Sequence, residues 1–201
     1  MKRCVLFCSL FVCACLLTAC GGANADKAER VPLEELPEDY TVEQAKADGC
    51  VVHEGGDVTT GQKAWEAFAE TVSAGKAASV RLASYYTLGD PSRYDPEYYE
   101  SVKDDYPKLF IQDLTYDGAA YTLRWFEEDG EIIETYQCLM RYEGEAESPH
   151  ATYDSYVRYV LTNDDSVTWE KLVWGMLSSR FGDYIPHHQV YVDLIRQDEA
   201  P

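Results

Sequence analysis

Leu109-Phe110-Ile111-Gln112-Asp113-Leu114-Thr115-Tyr116 runs into Asp117-Gly118, and Ala120-Tyr121-Thr122-Leu123-Arg124-Trp125-Phe126-Glu127 runs out of it. Both runs are rich in aliphatic, aromatic and β-branched residues, which suit a pleated, half-buried surface. Asp-Gly between two such runs is a strong hairpin signal, because tight hairpin turns need residues that tolerate positive φ. Glu128-Asp129-Gly130 makes a second turn, and Ile132 to Tyr142 reads as a third strand. The result is an antiparallel meander, and the rest of the domain is read outward from it.

Towards the N-terminus, Ser79 to Leu88 alternates as a strand, with Val80, Leu82, Ser84 and Tyr86 on one face. Trp65, Phe68, Ala69 and Val72 before it repeat at three- and four-residue spacing, the mark of an amphipathic helix. Thr59 or Thr60 is expected to cap that helix and Gly75 to close it. Cys50 to His53 reads as a short buried strand ended by Gly55-Gly56. Thr41 and Gln44 have the spacing of a capping box, and Gly49 is a natural stop. Towards the C-terminus, Tyr153 to Leu161 is a strand and Asn163 to Ser166 a turn. Trp169, Leu172, Val173, Met176 and Leu177 mark a helix over 167–180, and Gln189 to Ile195 is a last strand. Residues 93–106 are acidic and tyrosine-rich, and are expected to form an irregular helical turn or a long loop. The order α-β-α-β-β-β-β-β-α-β predicts an α+β fold. Its sheet is largely antiparallel, with about five to six strands packed against two to three helices, and residues 40–201 form one domain.

The N-terminus reads differently. Lys2 and Arg3 precede an apolar run, Val5 to Thr18, too short for the roughly 20 residues that span a bilayer. Leu17-Thr18-Ala19-Cys20 closes it and Gly21-Gly22 follows, the pattern of a bacterial lipoprotein processing site. Residues 1–19 are therefore expected to be a signal peptide and Cys20 the lipidated residue. A diacylglyceryl group brings two acyl chains, enough for stable anchoring where one would not be. The chain would then sit on the cell membrane by its anchor, facing the extracytoplasmic side. Gly21 to about Asp39 is polar, with Pro32 and Pro37, and is expected to be a disordered tether.

The signal holds two of the 17 basic residues and none of the 36 acidic ones, so the charge of −19 becomes −21 after cleavage. Nucleic-acid binding needs a basic face and is excluded. Of seven cysteines, only Cys50 and Cys138 lie in the domain. The compartment permits a disulfide between them, and two separate buried thiols is the preferred reading.

The chain also resembles a domain-of-unknown-function family of small Gram-positive lipoproteins. The segments that carry the resemblance are Tyr40-Thr41-Val42-Glu43-Gln44-Ala45, Val51-Val52-His53, Ser73-Ala74-Gly75-Lys76, Ser79-Val80-Arg81-Leu82, Tyr86-Thr87-Leu88-Gly89-Asp90-Pro91 and Asp113-Leu114-Thr115-Tyr116-Asp117-Gly118. They cover residues 40–127, and residues 92–112 are longer than the usual connection. The resemblance implies an extracytoplasmic α+β lipoprotein and brings no activity with it.

No motif for catalysis, metal or phosphate stands out, and no cofactor is expected. His187-His188 would face opposite sides of a strand, which defeats a shared metal. His53 sits at a strand end and is kept as a candidate, with a satisfied histidine under the first helix as its bland reading. Asp90, Asp95, Asp104 and Asp105 surround the tyrosine-rich insertion and read best as a solvated loop. All sixteen tyrosines lie beyond residue 39. Tyrosine offers an apolar plate with a polar tip, suited to protein or sugar recognition. Tyr94, Tyr98, Tyr99 and Tyr106, with His53 and Asp90, are the candidate interaction residues. The expected role is non-catalytic binding of an envelope protein, peptide or glycan. The alternatives are an envelope hydrolase working through carboxylates such as Asp90 and Asp95, or a cation-responsive protein.

Overall fold

A computed structural model of the chain describes residues 30–146, 148 and 150–196. The expected signal peptide, Cys20 and residues 21–29 of the expected tether lie outside the described residues. Helix α1 (Val42–Ala47) begins in the capping box read from the sequence. The Thr41 hydroxyl accepts from the Gln44 amide at 3.2 Å, and the Gln44 side chain accepts from the Thr41 amide at 2.7 Å. Strand β1 (Val51–Glu54) turns through Gly55-Gly56 into β2 (Asp57–Thr60), a strand not expected from the sequence. Thr59 and Thr60 stay in that strand, and the Thr59 hydroxyl donates to Glu54 rather than capping a helix. Helix α2 (Gln62–Ser73) starts instead from Gly61 at φ +87°. A Cβ there would lie 2.4 Å from the Cys50 carbonyl oxygen, so only glycine fits.

Strand β3 (Ala78–Tyr86) leads into the insertion. Its helix α3 (Pro96–Val102) is more regular than expected, because Asp95 caps it through the Glu97 and Tyr98 amides. Strands β4 (Lys108–Tyr116), β5 (Tyr121–Glu127) and β6 (Gly130–Tyr136) form the meander. The third run does not continue as one strand to Tyr142. Tyr136 pairs with Tyr121, the first residue of β5, so the chain has no partner beyond it. At Gln137 the amide turns to the Thr162 carbonyl and the Asn163 side chain, and β7 (Cys138–Glu145) pairs with β8 (Ser155–Thr162) instead. Helix α4 (Trp169–Leu177) and strand β9 (His187–Ile195) follow.

The fold is α+β, with nine strands in two sheets among the described residues. The larger has the order β2-β1-β3-β4-β5-β6, antiparallel except where β1 runs parallel to β3; the smaller is β7-β8-β9. One core joins them. Val51, Val80, Leu82, Leu114 and Leu123 of the large sheet pack with Trp65, Phe68 and Val72 of α2 and with Leu161, Val190 and Tyr191 of the small sheet. Helix α1 covers the opposite face over Cys50, Val52 and Ala83. Helix α4 packs on Val160 of the small sheet through Leu172.

Two expectations change here. The compact unit begins at Pro32 rather than after Asp39. Leu33 is buried and the Glu34 carboxylate meets Arg124 at 3.0 Å, so this part of the expected tether has both apolar and ionic reasons to fold back. Helix α4 stops at Leu177 rather than Arg180, and its packed face is Leu172 and Gly175. A Cβ on Gly175 would strike the Asp183 carbonyl oxygen at 2.5 Å, so the chain after the helix lies against glycine, and Met176 and Leu177 face solvent. Cys50 and Cys138 are both free thiols, the first buried and the second half-buried.

Arg81 and Asp113 face each other across β3 and β4 in a two-point ion pair, 2.7 Å at each contact. Arg81 is 3 % exposed, so removing Asp113 takes a two-point ion pair away from a buried charge. Asp113→Ala should destabilise the fold by about 3 kcal/mol, the low end for a buried pair, because the Asp113 side chain keeps 22 % exposure. Urea unfolding will measure it. The exposed Arg141–Glu143 pair is the control, and Glu143→Ala should cost under about 1 kcal/mol.

Candidate functional site

Antiparallel register puts directly opposed residues on one face of a sheet. On the inward face, Val80 opposes Leu114, and Leu114 opposes Leu123. Two residues further along β3 and β4, Leu82 opposes Gln112, and Gln112 opposes Trp125. Next, Ser84 opposes Phe110. The apolar row thus becomes polar and aromatic towards one end of the sheet. There His188 and Gln189, at the start of β9, stand across from it, and the two sheets enclose an open cleft of about 620 Å³. Tyr86, Tyr106, Phe110, Gln112, Trp125 and His188 are among its walls. A side pocket of about 70 Å³ shares Ser84, Gln112 and Gln189 with the cleft and runs to His53 and Tyr191.

A hydrogen-bonded chain crosses between the sheets at this end. The Tyr136 hydroxyl donates to Glu134 Oε2 at 2.8 Å, and His188 Nδ1 lies 3.1 Å from the same oxygen. On the other side of the ring, Gln112 Nε2 lies 3.3 Å from His188 Nε2. An amide NH₂ can only donate, so Nε2 accepts and Nδ1 carries the proton given to Glu134. Burial first, and then the Glu134 carboxylate, hold the Tyr136 phenol well above its ordinary pKa. Trp125 is fixed by its indole N–H, which donates to Glu127 at 2.9 Å, and its ring centroid lies 5.6 Å from that of His188. Lys108 sits over the Tyr106 ring at 5.5 Å.

The residues singled out from the sequence separate here. Tyr106 lines the cleft. His53 borders the side pocket, but it lies between the sheets rather than under α1. It is 8 % exposed, its Nε2 accepts from the Val192 amide at 3.2 Å, and its ring meets Tyr191 edge-on. Burial pulls its pKa down to about 4, against a smaller opposing pull from Asp57. Tyr94, Tyr98 and Tyr99 cluster on the insertion, with Tyr94 6.2 Å from Tyr98 and 6.0 Å from Tyr99. The insertion leaves β3 just after Tyr86 and re-enters at Lys108, both cleft residues. Asp90 accepts from the Ser92 amide at 2.9 Å, and Asp95 caps α3, so each of these carboxylates stabilises a turn.

Ser84, Gln112, Trp125, His188 and Gln189 are among the cleft residues that sequence reasoning missed. One signal was available. Gln112 is a polar residue on the inward side of a strand whose neighbours there, Phe110 and Leu114, are apolar. Among the described residues no three His, Cys, Asp or Glu side chains gather to hold a metal ion, and no helix is long and apolar enough to cross a membrane. No protein-family description, curated protein or solved structure matches the chain.

His53 generates a pH prediction. Its folded pKa lies below the unfolded value of about 6.5, so the unfolded chain takes up the proton first. The stabilisation is complete above about pH 6.5 and falls away as pH drops towards 4. His53→Gln keeps an acceptor for the Val192 amide and cannot titrate. Between pH 7 and pH 5 the native chain should lose about 2 kcal/mol more than His53→Gln does, read from urea midpoints at each pH.

Proposed function

We propose that this chain is an extracytoplasmic lipoprotein, held to the cell membrane by lipid on Cys20, and that it works as a non-catalytic binding module whose cleft captures a ligand in the cell envelope. The lipoprotein family it resembles is part of this reading. The observation that carries the binding role is the open cleft between the sheets, with aromatic walls and a few fixed polar groups, the usual make-up of a small-ligand site. The insertion joins the sheet at the rim of this cleft, so Tyr106 belongs to the site and the Tyr94, Tyr98 and Tyr99 cluster lies on the segment next to it.

The chemistry of the cleft favours binding over hydrolysis. Glu127 accepts from Trp125, and Glu134 accepts from both Tyr136 and His188. His188 Nε2, the atom that would serve as a base, already takes the Gln112 amide. These groups are arranged to hold side chains in place. The acidic surface suits a domain that stands off an anionic membrane on its anchor.

Two measurements test the reading. In a bacterium that processes lipoproteins, the native chain should incorporate labelled palmitate and sediment with membranes. Cys20→Ala should do neither, and a variant that still sediments unlabelled would mean another mode of attachment. Envelope extract passed over the immobilised chain should yield a retained ligand, and Trp125→Ala should lose it while keeping its circular dichroism spectrum. Equal retention by the variant would remove the cleft from the proposal.

A further inference from the structure

Resting on the cleft as the binding site, we infer that its ligand is an uncharged sugar unit of a glycan, stacked on Trp125 and held through its hydroxyls by Gln112, Gln189 and Ser84. A sugar ring has an apolar C–H face and a rim of hydroxyls, each able to donate and accept. The cleft matches both parts. Trp125 supplies a broad apolar plate, oriented by its bond to Glu127. Around it the polar groups split into donors and acceptors. Gln112 gives its nitrogen to His188, which leaves its carbonyl oxygen as the acceptor group. Gln189 accepts Arg158 Nη1 on its carbonyl at 2.9 Å, which leaves its NH₂ as the donor group. Ser84 offers a hydroxyl that can do either.

Charge argues for a neutral ligand. Lys108 and Glu127 are both in the cleft wall and offset one another, and the chain carries −19 overall. A phosphate- or carboxylate-rich polymer would be repelled by the whole domain. Peptide capture by strand addition needs an open backbone ladder. The floor strand β4 is paired with β3 along its whole length and with β5 from Gln112 onward, so strand addition is confined to the short β5-side edge at residues 108–111. What the floor presents is side chains. At about 620 Å³ the cleft falls within the roughly 300–1,000 Å³ of small-ligand sites.

The test is calorimetric titration of the full-length chain in detergent micelles with neutral tetrasaccharides of glucose, mannose, galactose and N-acetylglucosamine, alongside a pool of uncharged decapeptides. At least one tetrasaccharide should bind, with the same affinity at low and high salt. Trp125→Ala should weaken it at least about tenfold and Trp125→Phe about threefold at most, because Phe keeps the plate. Gln189→Ala, at an exposed position, should weaken it by about fivefold while the circular dichroism spectrum is kept. Absence of binding by all four sugars, or binding unaffected by Trp125→Ala and Gln189→Ala, overturns the sugar assignment. Trp125-dependent binding of the peptides with no sugar bound overturns it too, yet leaves the cleft as the binding site. If neither class binds and Trp125→Ala still captures its envelope ligand, the cleft reading falls as well.

Discussion

The Trp65 indole carries the constraint on which the two-sheet arrangement depends. It rises from α2, is almost wholly buried, and stacks on Tyr191 of β9 with centroids 4.7 Å apart and planes 9° from parallel. Tyr159 of β8 meets it edge-on at 5.0 Å, and Phe68 lies alongside at 5.5 Å. A large aromatic pair in such geometry contributes beyond its buried area. It also fixes where the small sheet can sit, because β8 and β9 must both reach the same ring. The arrangement has a local cost: the Trp65 indole N–H is buried with no acceptor among the described residues, an expense of about 1–3 kcal/mol. Burial of the aromatic cluster must exceed it for the arrangement to hold.

From that anchor the cleft follows. The sheets are held together where Val51, Val80, Leu114 and Leu123 face Leu161 and Tyr191. Towards the β9 N-terminus the apolar residues run out. Gln112 and Ser84 replace leucine and valine on the floor, and His188 and Gln189 stand opposite. Polar groups cannot be packed dry without partners, so the sheets meet there through hydrogen bonds and an open space. The same substitutions that stop the core from closing supply the groups that line the cleft.

Much of this was legible in sequence because it is local. The Asp117-Gly118 hairpin, the Thr41–Gln44 capping box and the strand at β3 depend on neighbours a few residues apart, and all are present in the structure, though β3 is buried on both faces from Val80 to Ala83 rather than alternating. The features that were missed depend on distant partners. Ile132 to Tyr142 holds no glycine or proline and reads as one strand, and only the length of β5 splits it at Gln137. Thr59 and Thr60 look like caps, and only the approach of the Cys50 backbone to Gly61 explains why the helix starts later. Met176 and Leu177 fit an amphipathic face, but Gly175 packs in their place because the Phe181–Asp183 turn comes so close. In the site, Tyr106 was visible as part of a tyrosine-rich segment. His188 was visible only as half of a histidine pair, since its partners Glu134 and Gln112 lie 54 and 76 positions away.

Two histidines tie the sheets together, and they do so with the same atom in the same role. His53 Nε2 accepts the Val192 amide from β9, and His188 Nε2 accepts the Gln112 amide from β4. The His53 tie needs its ring nitrogen unprotonated, so acid sets a donor against a donor there. The two ties differ because their partners differ. Gln112 can rotate its side-chain amide and present either nitrogen or oxygen to the His188 ring. Val192 offers a backbone N–H that is fixed by the strand and cannot be exchanged for an acceptor. His53 is also the more deeply buried, with no carboxylate in hydrogen-bond contact among the described residues to offset its charge. The seam between the sheets is therefore acid-sensitive at its β1 end, next to the side pocket, and adaptable at the Gln112–His188 contact that lines the cleft.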